Sequence, residues 1–300
     1  MTEKRTSAKA ASGWSERKVI GLDLGATNVR GGLVHNDLLS KIQSKRIRRV
    51  GTVEEVLEDI YSVIDPIIDS DVLAIGIGVP SVVDVEMGIV YDVQYIPSWK
   101  EVHLKKILEE RYQVPVLVNN DANCFVLGEL YFGKGIGMKN LIGLTIGTGL
   151  GAGIIVNHHL YAGPNCGAGE FGMVDYLDHC FEYYCSGQYF QNVYQIDGQE
   201  VFEKAKAGDH TSRSYYAEMG IHLGNAIKMI LYTYDPSVII FGGSVRHAYP
   251  YFSETMWQRI NTFAYNKSLA KFRIELSELE NSGILGAAGL YYDQIVRSEI

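Results

Sequence analysis

Val118-Asn-Asn-Asp-Ala-Asn-Cys-Phe-Val-Leu-Gly128 is the stretch on which the reading of this chain turns. An apolar run, Val114–Val118, precedes it and has the look of a buried strand, and an apolar helix pattern follows. Asp121 therefore falls just past a strand end, where open α/β sheets bind their ligands. A carboxylate there can accept a proton from a bound hydroxyl, while the amides of Asn120 and Asn123 hold the neighbouring hydroxyls. Asp is also a common helix cap, and this stretch alone does not separate the two roles.

Outward from that point, strands and helices alternate. Lys18–Asp23, Asn28–Val34 and Val72–Val79 read as strands, and Pro80 stops the third. Val53–Ile68 carries apolar residues at helical spacing, and His103–Tyr112 is a short amphipathic helix. The pattern restarts with strands at Leu141–Ile146 and Gly151–Val156. A helix at Tyr215–Tyr232, a strand at Ser237–Phe241 and a helix at Tyr249–Tyr265 follow, then a strand at Phe272–Leu276 and a helix at Leu285–Val296. Such alternation implies mostly parallel sheets. We expect two α/β lobes, 19–118 and 119–284, with the last helix, about 285–300, returning to the first. Residues 1–18, polar and basic, are expected to form a disordered tail rather than a signal peptide.

Composition narrows the function classes. The 300 residues are 47% hydrophobic and 21% charged, ordinary for a globular protein. A net charge of −8 argues against a nucleic-acid partner, since phosphate backbones need a basic surface. No apolar run reaches membrane-spanning length. Four cysteines in a chain this long do not make a disulfide framework, and a reducing cytoplasm is the expected setting.

Two glycine turns carry further chemistry. In Gly21-Leu-Asp-Leu-Gly-Ala-Thr-Asn-Val-Arg-Gly-Gly32, Asp23 ends a strand, Gly25 allows a tight turn and Thr27 offers a hydroxyl. Backbone amides of such a turn can cradle a phosphate, and Asp23 could hold a phosphate-bound Mg²⁺ through water. A strand follows rather than a helix, which excludes the dinucleotide fingerprint. Gly147, Thr148 and Gly149 form a second strand–turn–strand unit of the same kind, and Gly242-Gly243 a third turn after a strand.

Taken together, these segments resemble the ROK family of sugar kinases, within the actin-like, hexokinase and Hsp70 ATPase superfamily. The resemblance runs from Val19 nearly to the C-terminus. Asp23–Arg30 resembles the family's first phosphate motif, Gly76–Asp84 its Gly-Val-Pro-Gly-x-Val-Asp segment with Ser81 in place of glycine, and Asn119–Glu129 its catalytic segment. Gly147–Gly153 resembles the second phosphate motif and Gly242-Gly243 the adenosine motif. The resemblance implies a two-lobed, actin-like (ribonuclease H-like) α/β fold with the active site in a cleft between lobes, and a cytoplasmic homodimer. It implies an ATP- and Mg²⁺-dependent hexose kinase with Asp121 as general base. Asn120, Glu170 and Glu182 would be sugar ligands, and Asp23, Gly25, Thr27, Arg30, Gly147, Thr148, Gly149, Gly242 and Gly243 would bind the nucleotide.

The departures bear on cofactor and substrate. The family's zinc-binding His falls at Met173, and its Cys-x-Cys loop is shortened to Val-Asp-Tyr-Leu-Asp-His before Cys180, so no structural zinc is expected. Cys180, Cys185 and His179 supply at most three donors. Tyr95 stands where the family commonly has a sugar-contacting Asn. Glucose, an N-acetylhexosamine, allose, fructose or a β-glucoside thus remain open as substrate. Family repressors carry a helix-turn-helix module before the first strand, and about 18 residues are too few for one. A binding protein without turnover remains the alternative.

Overall fold

The computed structural model describes residues 14–298. A 3-10 turn at Trp14–Glu16 leads into β1 (Lys18–Leu24), β2 (Asn28–His35), β3 (Leu38–Arg46), α1 (Val53–Ile64) and β4 (Val72–Val79). Next come β5 (Val82–Asp84), β6 (Ile89–Tyr91), β7 (Glu101–Val102), α2 (Leu104–Tyr112), β8 (Val116–Asn120) and α3 (Asp121–Phe132). The chain continues through β9 (Leu141–Ile146), β10 (Leu150–Val156), β11 (His159–Leu160), β12 (Asp175–Tyr176), β13 (His179–Cys180), α4 (Phe181–Cys185), α5 (Tyr189–Tyr194), α6 (Gly198–Lys206) and α7 (His210–Tyr234). It closes with β14 (Val238–Gly242), α8 (Tyr249–Ile260), α9 (Asn266–Leu269), β15 (Arg273–Leu276) and α10 (Ser282–Ser298).

These elements group into two compact units. The first holds the chain up to Lys139, Gly153–Ala168 and the chain from Glu278 onward; the second holds Asn140–Ala152 and Gly169–Ser277. The division differs from the expected boundary at residue 119. α3 belongs to the first unit because it is buried along its length and packs on α10. α10 starts at Ser282, three residues earlier than its apolar pattern suggests, and lies in the first unit. Most of the expected tail, residues 1–13, lies outside the described residues. Residues 14–18 are tied down: Asn36 N donates to Ser15 O at 2.6 Å and the Tyr292 hydroxyl to Arg17 O at 3.1 Å.

The first unit is built on a sheet of order β3-β2-β1-β4-β8. β1, β4 and β8 run parallel, and the register sets Asp23 beside Gly78 and Val79 beside Asn120. β2 returns antiparallel, opposing Arg30 to Asp23. One face is covered by α1, whose apolar stripe Val56, Leu57, Ile60, Val63 and Ile64 is buried in the core. A capping box fixes its start, with Glu55 N donating to Thr52 Oγ1 and Thr52 N to Glu55 Oε2.

In the second unit β9, β14 and β15 run parallel, with Gly242 beside Thr145. This register puts the turn after β14 next to the turn after β9, both at the carboxyl ends of parallel strands, the usual ligand edge of such a sheet. The long helix α7 packs on α8, burying Tyr216, Met219, Leu223, Ile227 and Ile230.

Candidate active site

Asp121 is the first residue of α3 and is exposed, whereas Ala122 to Tyr131 are buried. The helix cap is Asn120: its Oδ1 accepts Ala122 N at 2.9 Å and its Nδ2 donates to Ser81 O at 3.3 Å. Asp121 Oδ1 also accepts Ala122 N, at 2.8 Å. The capping role weighed for Asp121 thus falls chiefly to its neighbour. Ser81, which replaces the motif's glycine, turns its hydroxyl onto Tyr91 O.

Beneath this pair lies a hub that sequence reasoning missed. Asn119 is 3% exposed, and its Oδ1 accepts Asn120 N at 2.9 Å, Asn123 Nδ2 at 2.9 Å and Cys166 Sγ at 3.1 Å. Asn119 thereby locks the end of β8, the first turn of α3 and the segment around Cys166 into one geometry. Asn123, read from sequence as facing a ligand with Asn120, instead turns inward: it is 1% exposed, and its Oδ1 has no partner among the described residues. Helical geometry accounts for this, because residue i+3 on a helix buried all round follows the core and not the strand end.

The first glycine turn also lies in this unit. Gly25 N donates to Asn28 O at 2.9 Å, closing it, and Thr27 is exposed. The Asp23 carboxyl packs against the start of α10, where a Cβ on Gly283 would lie 2.6 Å from it. Burial pushes this carboxyl above its ordinary value, and Arg30 across the strands pulls it down. Arg30 donates to Asn281 Oδ1 and so ties β2 to the residue before α10. Tyr95 lies under a guanidinium, the Arg49 carbon 5.5 Å from its ring centre.

The second unit carries the other glycine turns. Gly147 N donates to Gly149 O at 3.0 Å, and Gly187 N to Gly147 O at 2.6 Å. Glu182 reaches this turn from α4, where its Oε2 accepts Leu150 N at 2.9 Å. Sequence reading gave Glu182 to a sugar; one of its oxygens is engaged by the turn. Glu170 stands before a 3-10 turn, Phe171–Met173, and burial followed by the nearby Glu182 charge holds its carboxyl above the usual range. Gly242 ends β14, and Gly243 adopts φ +75°, where a Cβ would lie 2.2 Å from Ile146 O, so only glycine fits. A cavity of about 600 Å³ opens beside Gly147 and Thr148, lined also by Gly187, Gln188, Ser244 and Val245. That is a size suited to a nucleotide-sized ligand.

Aromatic rings occupy the segment where zinc ligands were weighed. Tyr176 stacks on Phe181 at 4.3 Å, its hydroxyl lies 3.1 Å from His222 Nδ1 and accepts Asn225 Nδ2 at 2.8 Å, and His179 stacks on Tyr183 at 3.8 Å. Met173 is exposed, Cys185 is buried with its thiol pushed up by that burial, and all four cysteines are unbridged. Among the described residues no group of three or more His, Cys, Asp or Glu side chains could hold a metal ion. This donor set does not fit tetrahedral zinc. A lone carboxylate such as Asp23 does fit Mg²⁺, which takes few protein ligands and keeps its waters and phosphate oxygens. No helix among the described residues is long and apolar enough to cross a membrane.

An α/β chain with paired strand–turn–strand glycine hairpins and an exposed acid at a strand end defines a class. The chain belongs to the ROK family, whose sequence profile matches residues 19–294. It is similar to the glucokinase of Thermotoga maritima, 28% identical over 312 residues that span 93% of this chain and 98% of that protein. It is also similar to the xylose repressor of Bacillus subtilis, 27% identical over 301 residues spanning 92% of this chain and 77% of that protein. The solved ROK family glucokinase of Streptomyces griseus, in complex with glucose and AMPPNP, matches with a TM-score of 0.75 at 26% identity, covering 91% of this chain and 98% of that one. The actin-like α/β fold expected from the sequence is the fold these proteins share.

Proposed function

We propose that this chain is an ATP-dependent sugar kinase that phosphorylates a hydroxyl of a hexose or modified hexose. The observation that carries the reading is Asp121, an exposed carboxylate at the end of a parallel strand, on a helix whose cap is supplied by Asn120. In this reading Asp121 takes the proton of the sugar hydroxyl as its oxygen attacks the γ-phosphorus of ATP. Asn120 and Glu170 hold neighbouring hydroxyls, and Glu182 offers its second oxygen. The amides of Thr148 and Gly149 and the turn at Gly25–Thr27 hold phosphate oxygens, Arg30 adds positive charge, and Gly242-Gly243 passes close to the nucleoside. Asp23 would hold Mg²⁺ through water, and Mg²⁺ when bound neutralises charge on the transferring group. Likeness to the glucokinases supports this chemistry.

Substrate choice follows from the altered wall. Met173 is exposed and offers no strong hydrogen bond, so a sugar hydroxyl facing it gains no protein partner there. We expect modest activity on glucose and a better substrate among modified hexoses. Likeness to the xylose repressor favours a second reading, sugar binding without turnover. ATP consumption measured across glucose, mannose, allose, fructose and N-acetylhexosamines separates the two. Hexose-dependent ADP release supports the kinase, whereas hexose binding with no ADP release under any sugar overturns it. A glucose kcat/KM above all others would overturn the substrate expectation alone.

A further inference from the structure

We propose that Asp197 holds the ribose diol of the nucleotide and selects ribonucleoside over dideoxyribonucleoside triphosphates; this rests on the kinase reading above. Asp197 precedes α6 and lines the cavity beside Gly147 and Thr148, where it is the one carboxylate among the lining residues. Backbone contacts place it close to the phosphate turn. Gly187 N donates to Gly147 O at 2.6 Å, and a Cβ on Gly198 would lie 2.9 Å from Gly187 O. One thickness of backbone therefore separates the start of α6 from the turn. Phe190, Phe202 and Tyr216 supply an apolar aromatic part of the same lining, with Phe190 and Tyr216 edge to face at 4.7 Å.

A nucleoside triphosphate has three chemically distinct parts, and the lining matches each. Backbone amides of the glycine turn suit phosphate oxygens. Aromatic rings suit a flat base. The vicinal ribose hydroxyls between them are two donors, which a carboxylate accepts together, as acidic residues do in other nucleotide sites. Asp197 is preset for this task. Its Oδ1 accepts Gln199 N at 2.9 Å and Glu200 N at 3.1 Å, which caps α6 and fixes the side chain. Its Oδ2 takes no hydrogen bond among the described residues. Gln199, the neighbouring polar residue of the lining, has already turned its amide onto Glu203.

Calorimetric titration of the full chain with ATP and with 2′,3′-dideoxyATP tests the assignment, using the parent and Asp197→Ser. Serine keeps the helix cap and removes the carboxylate. A hydrogen bond to a charged acceptor is worth about tenfold or more in affinity. The parent should bind ATP at least about tenfold more tightly than the dideoxy analogue. Asp197→Ser should bring the two within about threefold, with dideoxyATP affinity and Tm unchanged. Equal affinities in the parent, or a variant that weakens both nucleotides alike, would overturn the assignment and leave Asp197 a helix cap. Because the titration reads binding, selective ATP binding without hexose-dependent turnover removes the kinase reading alone. Hexose phosphorylation from ATP by a parent that binds ATP and dideoxyATP equally well removes this proposal alone.

Discussion

Replacing Glu182 by alanine probes the second glycine turn from the side chain that braces it. Glu182 Oε2 accepts Leu150 N at 2.9 Å, and Leu150 is 3% exposed. Alanine leaves a buried amide without its acceptor. A lost hydrogen bond to a charged group costs about 1.5–3 kcal/mol. At roughly 3 °C per kcal/mol for a unit of this size, Tm should fall by about 5–10 °C. Gln keeps an acceptor in place, so Glu182→Gln should recover most of that loss. The freed Leu150 amide directly follows the turn between β9 and β10, and the KM for ATP should rise several-fold in the alanine variant. Glu170 supplies an independent readout. Its carboxyl is raised first by burial and then by the Glu182 charge, so either variant should lower the Glu170 pKa, measurable by carboxyl NMR. Differential scanning fluorimetry and steady-state kinetics at varied ATP and sugar report the rest. A Tm and an ATP KM both unchanged in Glu182→Ala would refute the bracing role. A rise in sugar KM alone would return Glu182 to the sugar.

Burial raises the Asp23 carboxyl above its unfolded value, so ionising it costs stability, and that cost is felt as pH rises through the folded value. Asp23→Asn should therefore melt higher than the parent at about pH 7–8 without nucleotide, with the gap closing toward acid pH, while Mg-ATP turnover falls; a lower Tm for the variant at neutral pH contradicts this. Asn119→Ala strips three donors of one acceptor and should cost on the order of 2–4 kcal/mol, seen as a lower Tm together with a lower kcat; an unchanged Tm would deny the hub. Protein purified without added zinc should carry far less than one equivalent by metal analysis and keep its Tm under chelator, and a stoichiometric zinc content would contradict the ring-packed hairpin at Tyr176–Cys180.

What the sequence disclosed was what periodicity and turn chemistry encode. The strands at Lys18 and Val72, the glycine hairpin at Gly147 and the helix after Asp121 each have one strong local signal, and each forms close to its expected bounds. β3 was missed because it is an edge strand: Leu38 and Ile42 face solvent, so no alternation marks a buried face. α6 was missed because only Val201 and Ala205 along it are buried. The Asp197-Gly-Gln-Glu200 run does carry a capping signature that could have marked its start. Asn119 and Asn123 look alike in sequence; their roles depend on which way the strand end and the first helical turn face, and that is set by packing on α10. Glu182 was reached only through the resemblance of Cys180-Phe-Glu182 to a family motif, and its bond to Leu150 joins residues 32 apart and has no local trace.

The central claim is that Asp121 takes a proton from a sugar hydroxyl during phosphoryl transfer. Transfer of the γ-phosphate from labelled ATP to the best hexose, compared between the parent and Asp121→Asn, tests it most directly. The Asn120 cap keeps the helix start intact in the variant, so sugar affinity by titration and Tm should stay near those of the parent. Removing a general base lowers the rate by about 10²–10⁴, and phosphoryl transfer by Asp121→Asn should fall by that factor. A variant that transfers phosphate at the parent's rate, with sugar bound equally well, would contradict the account.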